Sequence, residues 1–287
     1  MSSFEQVKKY EKPGDKLDGL MRLIADKLNA GLLEAGGVPL VENDCSVKME
    51  AFEEFDVEGD KNLIWEKDLE WSDAADPNVQ KWYKDTFGVE GVDQVVTQYR
   101  KNKERAASGQ VEKAVTAVFY KILASEYAVV RSSTFDDYFS GIDNVIINKK
   151  TGDVICAFDE VHGQSGQERY DKKLGKVKQL AKSGGATLKY GFSFEDGSLI
   201  KKSIANVPVF YLALSSDELR GLLAQMGYGA DDKPNEAELR IFDKLIAAME
   251  EQAGILEKER LPQNVRDNLN NFCQSSERMK QLRAAIM

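Results

Sequence analysis

Residues 141–161 read GIDNVIINKKTGDVICAFDEV, and the fold turns on them. Two runs rich in Val, Ile and Phe, IDNVIIN (142–148) and DVICAFDEV (153–161), flank KKTG, the pattern of a β-hairpin. Side chains alternate across a strand, so Asp143, Val145 and Ile147 share a face, and Ile155, Ala157, Asp159 and Val161 share one. A hairpin centred on Thr151 sets Asp143 opposite Asp159. Two carboxylates directly across an antiparallel pair repel each other. A hard divalent cation such as Mg2+ between them makes the pairing favourable. In the competing reading both acids are solvated strand ends, because a loop one residue different turns Asp143 to the other face.

Working outward, residues 110–128 (QVEKAVTAVFYKILASEYA) place Val111, Val115, Val118 and Ile122 on one face of an amphipathic helix, and VVRSSTF (129–135) is β-prone. A basic helix is expected at 167–182, with Tyr170, Leu174, Val177 and Ala181 aligned and Gly184-Gly185 ending it. LKYGFSF (188–194) and VPVFYLAL (207–214) read as strands, with Glu195-Asp196-Gly197 as the turn between them. Residues 108–214 are therefore expected to form an α/β core with a mixed sheet.

An acidic, mainly helical region (1–107) precedes this core and a helical one (215–287) follows it. Leu17, Leu20, Leu23, Ile24 and Leu28 have helical spacing, and helical character over 77–106 opens with Pro77 at a first-turn position and runs into the basic RKNKER. The stretch 50–76 carries Phe52, Phe55, Trp65 and Trp71 without a clean period, which leaves the order of 36–76 open. After 214, Ser215-x-x-Glu218 is a capping box. Leu239, Phe242, Leu245, Ile246 and Met249 line one further helix, and Val265, Leu269, Phe272, Met279 and Leu282 line another.

Composition excludes much chemistry. The 287 residues hold three cysteines and one histidine, so no multi-histidine metal site is available, and the widely spaced Cys45, Cys156 and Cys273 fit a reducing cytoplasm. There is no phosphate-binding GxxxxGK[ST] loop, no GxGxxG, no signal-like apolar start and no run near the roughly 20 apolar residues of a membrane span. The net charge of −9 is uneven. Residues 1–75 hold 9 basic and 18 acidic side chains, whereas 168–202 hold 9 basic and 4 acidic ones. The latter segment is the candidate nucleic-acid partner surface, although a basic run is also an ordinary solvated helix face.

Over roughly 108–194, the order helix, three strands, helix, strand, with GIDNVI (141–146) and VICAFDEV (154–161), resembles the PD-(D/E)xK nuclease superfamily. The resemblance implies a central mixed sheet flanked by helices and Mg2+- or Mn2+-dependent hydrolysis of a DNA or RNA phosphodiester. It implies Asp143 and Asp159 as metal ligands, with the Glu160 backbone carbonyl, since the Glu160 side chain points away with Cys156 and Phe158. The family's Lys stands two residues after the second acid, where this chain has Val161. A Lys from the following helix is the implied substitute. With Tyr170 at the centre of the buried stripe, Lys173 lies on its flank, Lys176 further round and Lys172 nearly opposite.

The family also uses a Glu on its first helix. Glu112 and Glu126 both lie near the apolar face, and the hairpin topology selects Glu112, because the helix start lies at the site end of the sheet. His162, Gln164, Arg169 and Lys172 are candidate substrate contacts; His162 is alternatively a proton carrier or an ordinary loop residue. Asp136 and Asp137 read as turn residues. Two other readings stay open: an inactive relative that binds nucleic acid or a protein through the same groove, and an interaction protein working through its terminal regions.

Overall fold

A computed structural model describes residues 13–35, 37–162 and 167–286, apart from the side chains of Pro13, Val161, His162 and residues 167–170. In chain order the elements are α1 (Pro13–Glu34), α2 (Val57–Ser72), α3 (Pro77–Phe87), α4 (Val92–Arg105), α5 (Ala107–Leu123), β1 (Tyr127–Arg131), α6 (Thr134–Ser140), β2 (Asn144–Asn148), β3 (Val154–His162), α7 (Gln167–Lys182), β4 (Ala186–Glu195), β5 (Ser198–Val207), β6 (Val209–Leu214), α8 (Ser216–Gln225), α9 (Glu236–Leu256) and α10 (Gln263–Ala284). The protein is α/β. A mixed sheet of order β1-β2-β3-β6 carries β6 parallel to β3, and β4 pairs with β5 in a separate two-stranded sheet.

The hairpin register sets the two aspartates opposite one another. Asn144 pairs with Phe158, Val145 with Ala157 and Ile146 with Cys156, the register that sets Asp143 across from Asp159. Nearer the turn Ile147 pairs with Val154, so the extra residue Ile155 forms a bulge. Without that bulge the whole site end would slip by one residue. The turn itself needs Gly152, whose φ of 77° suits glycine and whose added Cβ would lie 1.9 Å from the Phe194 carbonyl oxygen.

Four local expectations need correction. The strand at 129–135 runs instead from Tyr127 to Arg131. Ser133 then caps α6, its hydroxyl accepting from the Asp136 amide, so Asp136 is a buried helical residue and not a turn acid. Beyond β4, the turn at Asp196-Gly197 leads straight into β5, which the interrupting Lys-Lys-Ser of SLIKKSIANV conceals. Leu23, placed on the buried stripe of α1 by its spacing, is 47% exposed; Leu17, Leu20, Ile24 and Leu28 are buried as expected.

Both faces of the mixed sheet are covered. On one, Phe119 of α5 meets Phe158 and Phe242, and Phe272 of α10 meets Phe210. On the other, Leu188, Tyr190 and Phe192 of β4 lie over Val130, Val145 and Ile147. The same core takes in Leu17, Leu20, Met21 and Ile24 of α1. Residues 40–48 run beside β1, with the Arg131 amide donating to the Cys45 carbonyl (2.9 Å) and the Val47 amide to the Arg131 carbonyl (3.1 Å). Helices α2–α4 gather around a small cluster of their own, Ala74, Tyr83, Val95 and Val96. Both α8 and α9 open with capping boxes, at Ser215/Glu218 and Asn235/Glu238.

Candidate functional site

The acids collect where β2 begins. The Asp143 carboxylate Oδ2 accepts from the Glu160 amide at 2.7 Å, linking β2 to β3 by a side chain where the ladder ends. Asp159 faces α7 and is paired there with Lys173, the flank lysine of the helical stripe. The Lys173 ammonium also stands 5.2 Å from the centre of the Tyr211 ring. Lys176 and Lys172 are exposed, and the charge of Lys176 is still felt at Asp159.

Glu112 enters from α5. Its Oε2 lies 2.6 Å from Nη2 of Arg131 at the end of β1, and Arg131 is paired through Nη1 with Asp44. Glu126 lies at the far end of α5–β1, where it accepts from Arg278 Nε at 2.9 Å, so the topological choice of Glu112 agrees with the geometry. Glu160 turns its side chain to the α5 face. Its Oε1 accepts from Asn144 Nδ2 (2.6 Å), and Thr116 Oγ1 lies 2.6 Å from Asn144 Oδ1 and 2.7 Å from the Glu112 carbonyl. Glu160 is 5% exposed, and its Oε2 has no hydrogen-bond partner among the described residues.

This concentration of negative charge has a clear titration signature. Burial, then the charges of Glu112, Asp137 and Asp159, hold the Asp143 carboxyl well above the usual carboxylate range. Burial and the nearby Asp143 and Glu112 do the same to Glu160. Asp159 is raised by burial against the opposing hydrogen bond of Lys173, and Glu112 by burial against Arg131. Asp44 is the exception: burial works against its charge, but Arg131 and the hydrogen bonds from Ser46 outweigh it and lower its pKa.

A cleft of about 600 Å3 opens above this cluster. Glu112, Arg131, Asp137 and Asp143 line it from the core, while residues 42–50, α2 and α4 supply the other walls. The residues that sequence reasoning missed are Arg131, Asp44 and Asp137. The last had a readable signal, since Ser133-Thr-Phe-Asp136 is a helix-start pattern that would have placed Asp137 on a helix rather than in a turn.

Among the described residues, no group of three or more His, Cys, Asp or Glu side chains is placed to hold a metal ion by itself. The set implied by the resemblance asks for less: two carboxylates, Asp143 and Asp159, and one carbonyl, that of Glu160. That donor chemistry suits a hard divalent cation. Of the expected substrate contacts, Gln164 lies outside the described residues. His162 and Arg169 fall on β3 and α7, with side chains outside the description, and Lys172 is exposed.

The basic segment 168–202 is largely paired within the molecule: Lys173 with Asp159, Lys178 and Lys182 with Glu259, Lys189 with Asp60, and Lys202 with Glu195. No described helix is long and apolar enough to cross a membrane. Comparison with known proteins finds no family model that matches the chain, and no curated protein or solved structure similar to it.

Proposed function

We propose that the chain is a metal-dependent nuclease that hydrolyses a DNA or RNA phosphodiester. The observation that carries the reading is the bulged hairpin, whose register sets Asp143, in the floor of the cleft, across from Asp159, which is paired with Lys173 outside the cleft lining. The succession α5, β1–β3, α7 also supports it, whereas the strand expected next, at 188–194, falls in β4, which pairs only with β5, and β6 joins the sheet instead, parallel to β3. In this reading Asp143, Asp159 and the Glu160 carbonyl hold Mg2+ or Mn2+. The ion supplies Lewis-acid polarisation of a phosphate oxygen and acidifies water at the site.

The chain's own groups do the rest. Glu112, kept in place by Arg131 and lining the cleft with Asp143, would help to hold the ion. Lys173, held beside Asp159, takes the place of the Lys that Val161 displaces and contacts the phosphate under attack. Lys176 is the second lysine within reach of that end of α7.

Substituting Asp143→Asn or Asp159→Asn is expected to abolish divalent-dependent cleavage while the folded spectrum is retained. A purified protein that cuts no single-stranded, duplex or branched nucleic acid contradicts the proposal. The second reading, an inactive relative that binds nucleic acid or a protein, is favoured by one observation, the Val161 at the motif's lysine position. It predicts no Mg2+ binding dependent on Asp143.

A further inference from the structure

The cleft is layered in charge and chemistry. Its floor is acidic, with Glu112, Asp137 and Asp143, whereas cations and an indole ring stand on its walls. Lys61 and Trp65 are one turn apart on α2, and Lys103 projects from α4. Trp65 is 37% exposed. The Lys103 ammonium lies 4.1 Å from the centre of the Tyr138 ring and 5.5 Å from that of Trp71, and the two rings contact each other at 4.9 Å. The Tyr138 hydroxyl donates to Asp68 (2.7 Å), which fixes that ring in the wall.

The cations are available to a ligand. Lys61 is paired with Glu50 and Glu58, and Lys103 sits 3.4 Å from Asp137, all on side chains at least 32% exposed. Exposed pairs of this kind contribute little and exchange readily for a phosphate. Acids remain on the rim as well, and the molecule carries −9, so long-range attraction for a polyanion is weak. Stacking on aromatic faces must therefore supply most of the affinity. Stacking needs bases free of a duplex, which is where single-strand binders obtain their energy. Size points the same way, since about 600 Å3 lies within the roughly 300–1,000 Å3 of pockets that enclose one compact ligand.

We propose that the cleft takes a single strand of nucleic acid, with a base stacked on Trp65, its phosphates over Lys61 and Lys103, and the following phosphodiester lowered onto Asp143. The cleavage at Asp143 rests on the nuclease reading; the strand binding does not. The test is fluorescence anisotropy of a labelled mixed-sequence oligonucleotide, as DNA and as RNA, in EDTA, against the same sequence annealed to its complement. Single strands are expected to bind at least about tenfold more tightly than duplex, with a salt slope near about −1.4 for two phosphate contacts. Trp65→Ala should weaken binding by about tenfold, Trp65→Phe should restore most of it, and Trp82→Ala, on α3 and outside the cleft, should leave it unchanged.

Thermal unfolding of each variant establishes that the fold is kept. If Trp65→Ala does not fold, Lys61→Glu carries the test by the same loss. Equal affinity for duplex, or binding indifferent to both Trp65 and Lys61, overturns the proposal. A parallel cleavage assay with Mg2+ and Mn2+ separates it from the nuclease reading. Equal cutting of duplex and single strand sinks the cleft proposal alone, whereas Trp65-dependent binding with no cutting sinks the nuclease reading alone.

Discussion

Asp143 works against the fold in which it sits. It is held well above the ordinary carboxylate range by burial and by three neighbouring acids. The folded chain therefore keeps a proton that the unfolded chain releases. Its contribution to stability is greatest at low pH and is lost as pH rises from the unfolded value toward the raised folded one. Asp44, lowered by Arg131 and Ser46, runs the other way, and its contribution disappears on acidification. In EDTA at pH 7, Asp143→Asn is expected to raise the unfolding midpoint by about 2–4 °C, equivalent to about 1 kcal/mol. The amide oxygen can still accept from the Glu160 amide, and the repulsion is gone. Calorimetry at pH 7 and pH 5 checks this, because the advantage should shrink at the lower pH; a destabilised variant at both values contradicts it.

At the scale of elements, two buried polar contacts join parts that the chain order keeps apart. Asp136 on α6 accepts from the amides of Lys189 (2.6 Å) and Tyr190 (3.1 Å) and so ties the helix to β4. Asp136→Ala leaves the buried Tyr190 amide and the part-buried Lys189 amide unanswered and is expected to cost about 2–3 kcal/mol, measured by denaturant unfolding. Lys121 and Glu238 form a fully buried pair at 2.7 Å between α5 and the first turn of α9. Lys121→Met strands the Glu238 carboxylate and is expected to cost about 3–5 kcal/mol.

These contacts also mark what the sequence could convey. The amphipathic stripes of α5, α9 and α10, the capping box at Ser215 and the hairpin were legible, because apolar periodicity and turn chemistry act locally. The flank position of Lys173 was legible for the same reason, since helical geometry alone carries it to Asp159. Helix α6 was hidden by β-branched neighbours, and β5 by its polar Lys-Lys-Ser. The bulge at Ile155 leaves no local trace, although it fixes which face Asp143 occupies.

For the molecule as a whole, the N-terminal region bears on the site directly. Residues 42–50, α2 and α4 wall the cleft, and Asp44 holds the arginine that positions Glu112. Helix α1 is buried in the same core as the sheet, and α9 and α10 cover the Phe119 face. A fragment of residues 108–214 alone would expose those apolar faces to water. It is expected to show no cooperative thermal transition, which circular dichroism of the isolated fragment measures; a sharp transition would show that the central segment is self-sufficient. None of this coupling was visible in the sequence, because it arises from side chains more than eighty positions apart, such as Arg131 and Asp44.

The proposed chemistry requires a divalent ion at the pair Asp143–Asp159. Calorimetric titration of Mn2+ into the purified, metal-free 287-residue chain measures it most directly. One ion per chain is predicted, with binding lost in both Asp143→Asn and Asp159→Asn and retained in the distal Glu126→Gln; no binding, or binding that both site variants retain, would contradict the account.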